Sequence, residues 1–268
     1  ENLTFKNVAG SLAETVLQST MKAVYVADGA RASMAKVTGQ GHELNSVMDD
    51  VASSNRGFGI SFAESAAALT ALSSGMSDFN SMSKETQAQL GSTVAKLGNL
   101  GISADTATAN IEIGRKVMGL SAQGAADMQQ QMAALAVGIG EPASKLAESF
   151  KAAAPQLAAY GGNMTKVFNN LAKTAKKTGV EISELLSITE QFNTFEGAAN
   201  AAGKLNAILG GDLLNSTELM LASDDERLDM IRKSIAASGQ SFDSMSRFQK
   251  IAVANAMGIK DLTKAQKL

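Results

Sequence analysis

The sequence has no cysteine, no tryptophan, two prolines, two tyrosines and a single histidine. Without cysteine there is no disulfide framework, no thiolate nucleophile and no cysteine zinc site, which fits a reducing compartment. The lone His42 leaves no multi-histidine metal site, and a histidine-based triad could run only through it. Aromatic residues make up 4% of the chain. A strand-rich sandwich or barrel would need more aromatic and β-branched residues and more turns. Neither sign of charge dominates, since 24 Lys and Arg face 26 Asp and Glu. That balance predicts no broad attraction to nucleic acid or to an anionic membrane. The longest apolar run, Met132 to Ile139, is too short to cross a bilayer. The chain starts at Glu1 without a charged-then-apolar leader, which reads as a fragment or a processed product.

What is present is alanine and glycine. Forty-five of the 268 residues are Ala and 24 are Gly. Small net charge and ordinary apolar content argue against a disordered chain. The composition predicts an all-α fold: an array of short antiparallel helices separated by glycine breaks and packed through small side chains. The length suits one large domain or two ordinary ones. We divide it into an N-terminal helical segment, 1–100, and a helical domain, 101–268.

The helix signals follow in chain order. Val8, Leu12 and Val16 recur every four residues and predict a first helix ending near Asp28-Gly29. Leu44, Val47, Met48 and Val51 share one face of a second. Ser53 to Gly59 reads as a loop. Ser61 with Glu64, and Ser223 with Glu226, have the spacing of capping boxes. Gly101-Ile102-Ser103 and Gly119-Leu120-Ser121 share one logic: glycine ends a helix in the left-handed conformation and serine caps the next. Gly138, Gly161-Gly162 and Gly179 continue the series at intervals that leave room for three to five helical turns. Pro155 should kink or split an Ala-rich helix. Leu185, Ile188, Phe192 and Phe195 form a short heptad-like seam. Phe242-Asp243 should open the last full helix, ending at Gly258.

No constellation carries catalytic chemistry. His42-Glu43 lacks a second histidine. Asp49-Asp50 and Asp224-Asp225-Glu226 lack the oxygen-ligand spacing of a calcium loop. Gly39-Gln40-Gly41 and Gly57-Phe58-Gly59 do not extend into a phosphate loop. Lys173, Lys176 and Lys177 could touch phosphate, but they lack interleaved aromatics and read as the basic last turn of a helix. The methionines read mainly as core filler. We therefore expect no catalytic residue, no cofactor and no metal.

From Phe192 to Leu262 the sequence resembles the tail tape measure proteins of bacteriophages, particularly large marine tailed phages. The resemblance is carried by Phe195-Glu196-Gly197-Ala198-Ala199, Gly203-Lys204-Leu205-Asn206-Ala207 and Leu209-Gly210-Gly211. It continues through Leu213-Leu214-Asn215-Ser216, Asp224 to Arg227, Met230-Ile231-Arg232 and Gly239 to Met245, then Phe248-Gln249 and Ala256-Met257-Gly258-Ile259. About 70 residues are covered. The resemblance implies a helical structural protein in the lumen of the tail tube or at the tail tip and baseplate. It would set tail length during assembly in the host cytoplasm and leave when DNA is ejected. It implies as partners copies of the chain itself, the tail tube and the hub proteins of the tip. No specific nucleic-acid binding and no membrane segment are expected in this stretch. The regular glycine breaks depart from the long uninterrupted helix such proteins are expected to contain. Phe192, Phe195, Phe242 and Phe248 are the candidate partner contacts, because scarce aromatics dominate interface energetics when buried. The competing reading for each is the local core. Competing functions are a membrane-perturbing ejected helix, a heptad-based signalling bundle and a cell-wall hydrolase-associated domain.

Overall fold

The computed structural model describes residues 5–39, 43–259 and 261–267; along the first helix, side chains are described at residues 18, 21 and 22 and from residue 24 onward. Among the described residues every regular element is helical and no strand occurs. The chain is all-α. The α-helices are α1 (Phe5–Thr38), α2 (Asn45–Asn55), α3 (Phe62–Gly75), α4 (Lys84–Gly98), α5 (Ala104–Lys116), α6 (Ala122–Ile139) and α7 (Ala143–Leu157). They continue with α8 (Met164–Thr178), α9 (Ile182–Glu190), α10 (Phe195–Leu209), α11 (Ser216–Leu221), α12 (Asp224–Ala237), α13 (Arg247–Ala256) and α14 (Leu262–Lys267). Five short 3-10 turns lie between them, at Arg56–Phe58, Phe79–Ser81, Ala158–Asn163, Gln191–Asn193 and Phe242–Ser244. The chain divides into two compact units, Glu1–Glu112 with Leu120–Gln130, and Ile113–Gly119 with Gln131–Leu268.

In the first unit α2, α3 and α4 pack on one another, and α1 lies along α3. The core is Val47, Met48, Val51, Leu69, Leu72, Met76, Phe79, Leu90, Val94 and Leu97. Gly91 lets α4 approach closely: a Cβ there would lie 2.8 Å from Leu69 Cδ2 and 3.0 Å from Val51 Cγ2. Buried amides fasten the same helices. Asn55 donates to the Val51 carbonyl at 2.8 Å and accepts from Ser92 Oγ at 2.8 Å. Gln87 donates to the Phe79 carbonyl at 2.8 Å.

The second unit is built on α7, α8 and α9, with α12 against α8 and α9. Its apolar centre is an edge-to-face pair, Phe150 and Phe168, with ring centroids 5.1 Å apart. Met164, Leu157, Leu171, Leu185 and Phe192 are buried in the same unit. In its C-terminal part α10 packs on α11, on α13 and on the 191–193 turn.

Several expected boundaries move, each for a local reason. α1 does not stop at Asp28-Gly29 but continues to Thr38. One glycine costs a helix only about 1 kcal/mol, Ala27, Ala30 and Ala32 flank this one, and Met34 further along is in the core. Gly39, at φ 69, is the glycine beyond the helix end. Residues 53–55 of the expected loop still belong to α2, and the turn at Arg56–Phe58 follows them directly. Gly138 stays inside α6; Gly140, at φ 69, makes the break, and Pro142 takes the N-cap position of α7. Pro155 does not split α7. The helix runs two residues past it before tightening into the Ala158–Asn163 turn. The 185–195 seam breaks before Phe195, because extended Thr194 caps a new helix by accepting from Gly197 N–H at 3.1 Å. Phe242-Asp243 forms a 3-10 turn, and the next helix starts at Arg247, behind a Ser246–Gln249 capping box.

Candidate functional site: a buried arginine clasp

In the second unit polar groups converge around Arg227. Its side chain is 4% exposed. α12 brings it inward because Ser223 and Glu226 fix where that helix begins: Ser223 N–H donates to Glu226 Oε2 at 2.9 Å. One turn of helix then carries Arg227 over Asp224. The guanidinium reaches the ends of two other helices. Nε donates to the Leu219 carbonyl at 2.8 Å and Nη2 to the Met220 carbonyl at 2.9 Å, both in the last turn of α11. Nη1 donates to the Thr189 carbonyl of α9 at 3.2 Å, to Asn193 Oδ1 at 2.6 Å and to Asp224 Oδ1 at 3.2 Å. A cation that collects carbonyls from helix C-termini meets the negative ends of the helix dipoles.

Tyr160 closes one side. Its hydroxyl oxygen accepts from Asp224 N–H at 3.0 Å. Burial, and then the negative charge of Asp224, push the phenol pKa up to about 12. The shift favours the protonated hydroxyl. A cleft of about 400 Å³ opens beside this cluster, flanked by Gln156, Glu190 and the exposed Leu221. Its lining carries the Arg227–Asp224 ion pair, the amides of Gln156 and Asn193, the Tyr160 phenol and the exposed carboxylate of Glu190. Among the described residues no group of three or more His, Asp or Glu side chains could hold a metal ion. What this arrangement can do is fasten α9, α11 and α12 together.

The residues of the 192–262 stretch have structural tasks. A Cβ on Gly197 would fall 2.0 Å from the Gln191 carbonyl oxygen, so only glycine lets α10 start where it does. Asn206 ties the following loop: its amide donates to the Leu214 carbonyl at 2.8 Å, and its oxygen accepts from Leu213 and Leu214 N–H. Gly210, at φ 80, ends α10 in the left-handed region, and Asn215 caps α11. Ser241 caps the turn before α13.

The four candidate aromatics part ways. Phe192 is fully buried in the core. Phe242 is half-buried, with Lys250 Nζ 5.9 Å from its ring centre. Phe195 and Phe248 are exposed, at 62% and 83%. Gly258, just past α13, lies against Gln191, just before α10, so α13 ends near where α10 begins. Phe195 is at the start of α10 and Phe248 at the start of α13, which sets them at opposite ends of the pair. His42, with Gln40 and Gly41 of Gly39-Gln40-Gly41, lies outside the described residues. Asp49 accepts from Arg31 Nη2 at 2.6 Å. Lys176 donates to the Gly140 carbonyl at 2.8 Å and to Glu141 at 3.1 Å. Met128, Met132, Met164, Met245 and Met257 are in the core.

Sequence reasoning missed Arg227 as a hub. Asp224 and Arg227 at i, i+3 look like any exposed helical ion pair, and only the tertiary position of the α9 and α11 ends makes them a clasp. In comparisons with protein families, curated proteins and solved structures, the chain matches none.

Proposed function

We propose that the protein is a structural segment of a bacteriophage tail, of the tape measure type, with no enzymatic activity. The observation that carries this reading is the use made of the residues behind the resemblance. Gly197, Asn206, Gly210, Asn215 and Asp224 through Arg227 form caps, turns and the buried clasp. They build joints between short helices. In this reading the chain lies in the tail tube lumen or at the tip, packs with copies of itself and with tube and hub proteins, and helps set tail length. Alanine supports the release step. Burial contributes about 25 cal/mol per Å², and an Ala side chain has little area to bury, so each helix contact is individually weak. Among the described residues no helix is long and apolar enough to cross a membrane. The test is the protein composition of purified virions before and after DNA ejection. The chain should be present in full particles and depleted from emptied tails. Absence from full particles contradicts the reading, as does full retention after ejection.

A further inference from the structure

Two helices of the second unit, α11 and α14, are only six residues long. Helices of that length are marginal alone, so each depends on what holds it. α11 buries Leu219, and its last turn gives two carbonyls to the buried Arg227 guanidinium. α14 packs on α13 and buries only Ala265 among its described residues, a side chain with little area to remove from water. Leu262, the one large apolar residue of α14, is 37% exposed. Two polar bonds tie this helix to other elements. Lys264 Nζ donates to Glu184 Oε1 in the first turn of α9. Gln266 Nε2 donates to Asp243 Oδ1 at 2.6 Å, in the Phe242–Ser244 turn. The Lys264 and Glu184 side chains are 42% and 39% exposed, so their bond faces solvent. One turn earlier on α9, Glu181 is engaged by Lys145 at 3.0 Å.

We infer that α14 is a strap with a salt-sensitive latch. It lifts off the second unit as one piece while α7, α8 and α9 stay folded, and the Lys264–Glu184 pair sets how often it does so. α11 shows the contrast. The bonds that hold α11 come from a buried guanidinium, which salt reaches weakly, whereas the Lys264 bond is exposed and salt screens it. Lifting α14 uncovers little more than the site of Ala265, so the opening is local and leaves the Phe150–Phe168 core intact. It frees the Glu184 and Asp243 carboxylates together. Lys267 leaves with them; its Nζ lies 3.9 Å from where a Cβ on Gly179 would stand, at the end of α8. The closed strap therefore withholds two carboxylates, one at the start of α9 and one before α13, from any other cation. Salt moves the balance towards the open form, because the screening length falls from about 10 Å at 0.1 M to about 3 Å at 1 M.

The experiment is amide hydrogen exchange of the 268-residue chain, read by mass spectrometry at low and high salt. In the wild type the amides of residues 264–267 should be protected at about 0.05 M salt and exchange at least about threefold faster at about 1 M. Those of α7, α8 and α9 should exchange far more slowly and at the same rate in both. Three wild-type results overturn the strap: α14 exchanging in step with α9, α14 unprotected even at low salt, or α14 indifferent to salt. This arm needs no variant. Charge reversal then tests the latch. Lys264→Glu and Glu184→Lys should each open α14 at low salt, and the two together, which restore an opposite-charge pair, should recover most of the protection. No recovery in the folded double variant overturns the assignment to this pair. If a reversal does not fold, Lys264→Gln and Glu184→Gln replace it, and each should raise the exchange of α14 at low salt and abolish its salt dependence. Wild-type protection with wild-type salt dependence in either one overturns the latch.

Discussion

The two units solve one problem, holding helices made largely of small residues, in different ways. In the first, side chains of neighbouring helices come close to the α4 backbone. Gly91 admits Leu69 and Val51 to within contact of α4, and amides such as Asn55 and Gln87 bind carbonyls at helix ends and within helices. In the second, an aromatic pair and a buried charge do the holding: Phe150 with Phe168, and the Arg227 clasp. Close packing against a glycine tolerates no added volume there. Anchored packing tolerates no lost group. The difference teaches which substitutions each unit should resist.

The largest expected effect is at Arg227. Arg227→Ala leaves Asp224 buried without its cation and removes the guanidinium donors from the Leu219, Met220 and Thr189 carbonyls. Loss of about 4 kcal/mol is expected, read as faster amide hydrogen exchange in α9, α11 and α12, while α2, α3 and α4 exchange at the wild-type rate. Phe150→Ala removes half of the edge-to-face pair and should cost about 3 kcal/mol by denaturant titration, again confined to the second unit. Gly91→Val reverses the pattern. Added volume against Leu69 and Val51 should cost about 2 kcal/mol and expose the first unit to exchange. If Gly91→Val is neutral, the close-approach account of the first unit is wrong.

The smallest effect depends on pH and is common to both units. Hydrogen bonds from the Ser61 and Ser223 backbone hold the Glu64 and Glu226 carboxyls below their ordinary value of 4.5. A depressed folded pKa stabilises the fold above the unfolded pKa, and that contribution is lost as pH falls through the folded value. Melting temperature should therefore drop as pH falls from about 5 towards 3. Glu64→Gln and Glu226→Gln keep a capping group but remove the titration, so both should flatten that slope. An unchanged slope in the double variant would mean that other carboxylates carry it.

The sequence reveals this fold best where structure is local. Ser61–Glu64, Ser223–Glu226, Gly101, Gly119 and Gly179 lie where capping and left-handed glycine rules put them, since those rules concern a few bonds within one turn. It reveals the fold poorly where neighbours decide. Gly29 and Gly140 are both glycines near apolar helical residues; one continues a helix and one ends it. Phe195 fits the spacing of a buried seam yet is exposed, because Thr194 begins a new helix and turns the chain before it. The clasp lies beyond local reading altogether. Asp224 through Arg227 stands out as a stretch, but the carbonyls that Arg227 collects come from residues 189, 219 and 220, which only the folded chain brings together.

Tail length tests the central claim most directly. A phage encoding this chain would be engineered with an in-frame deletion of residues 131–268 and, separately, with a tandem duplication of the same stretch, and tails would be measured by electron microscopy. The expected result is shorter tails from the deletion and longer tails from the duplication, with the tip unchanged. Tails of wild-type length from both would contradict the reading of this chain as a length-setting segment.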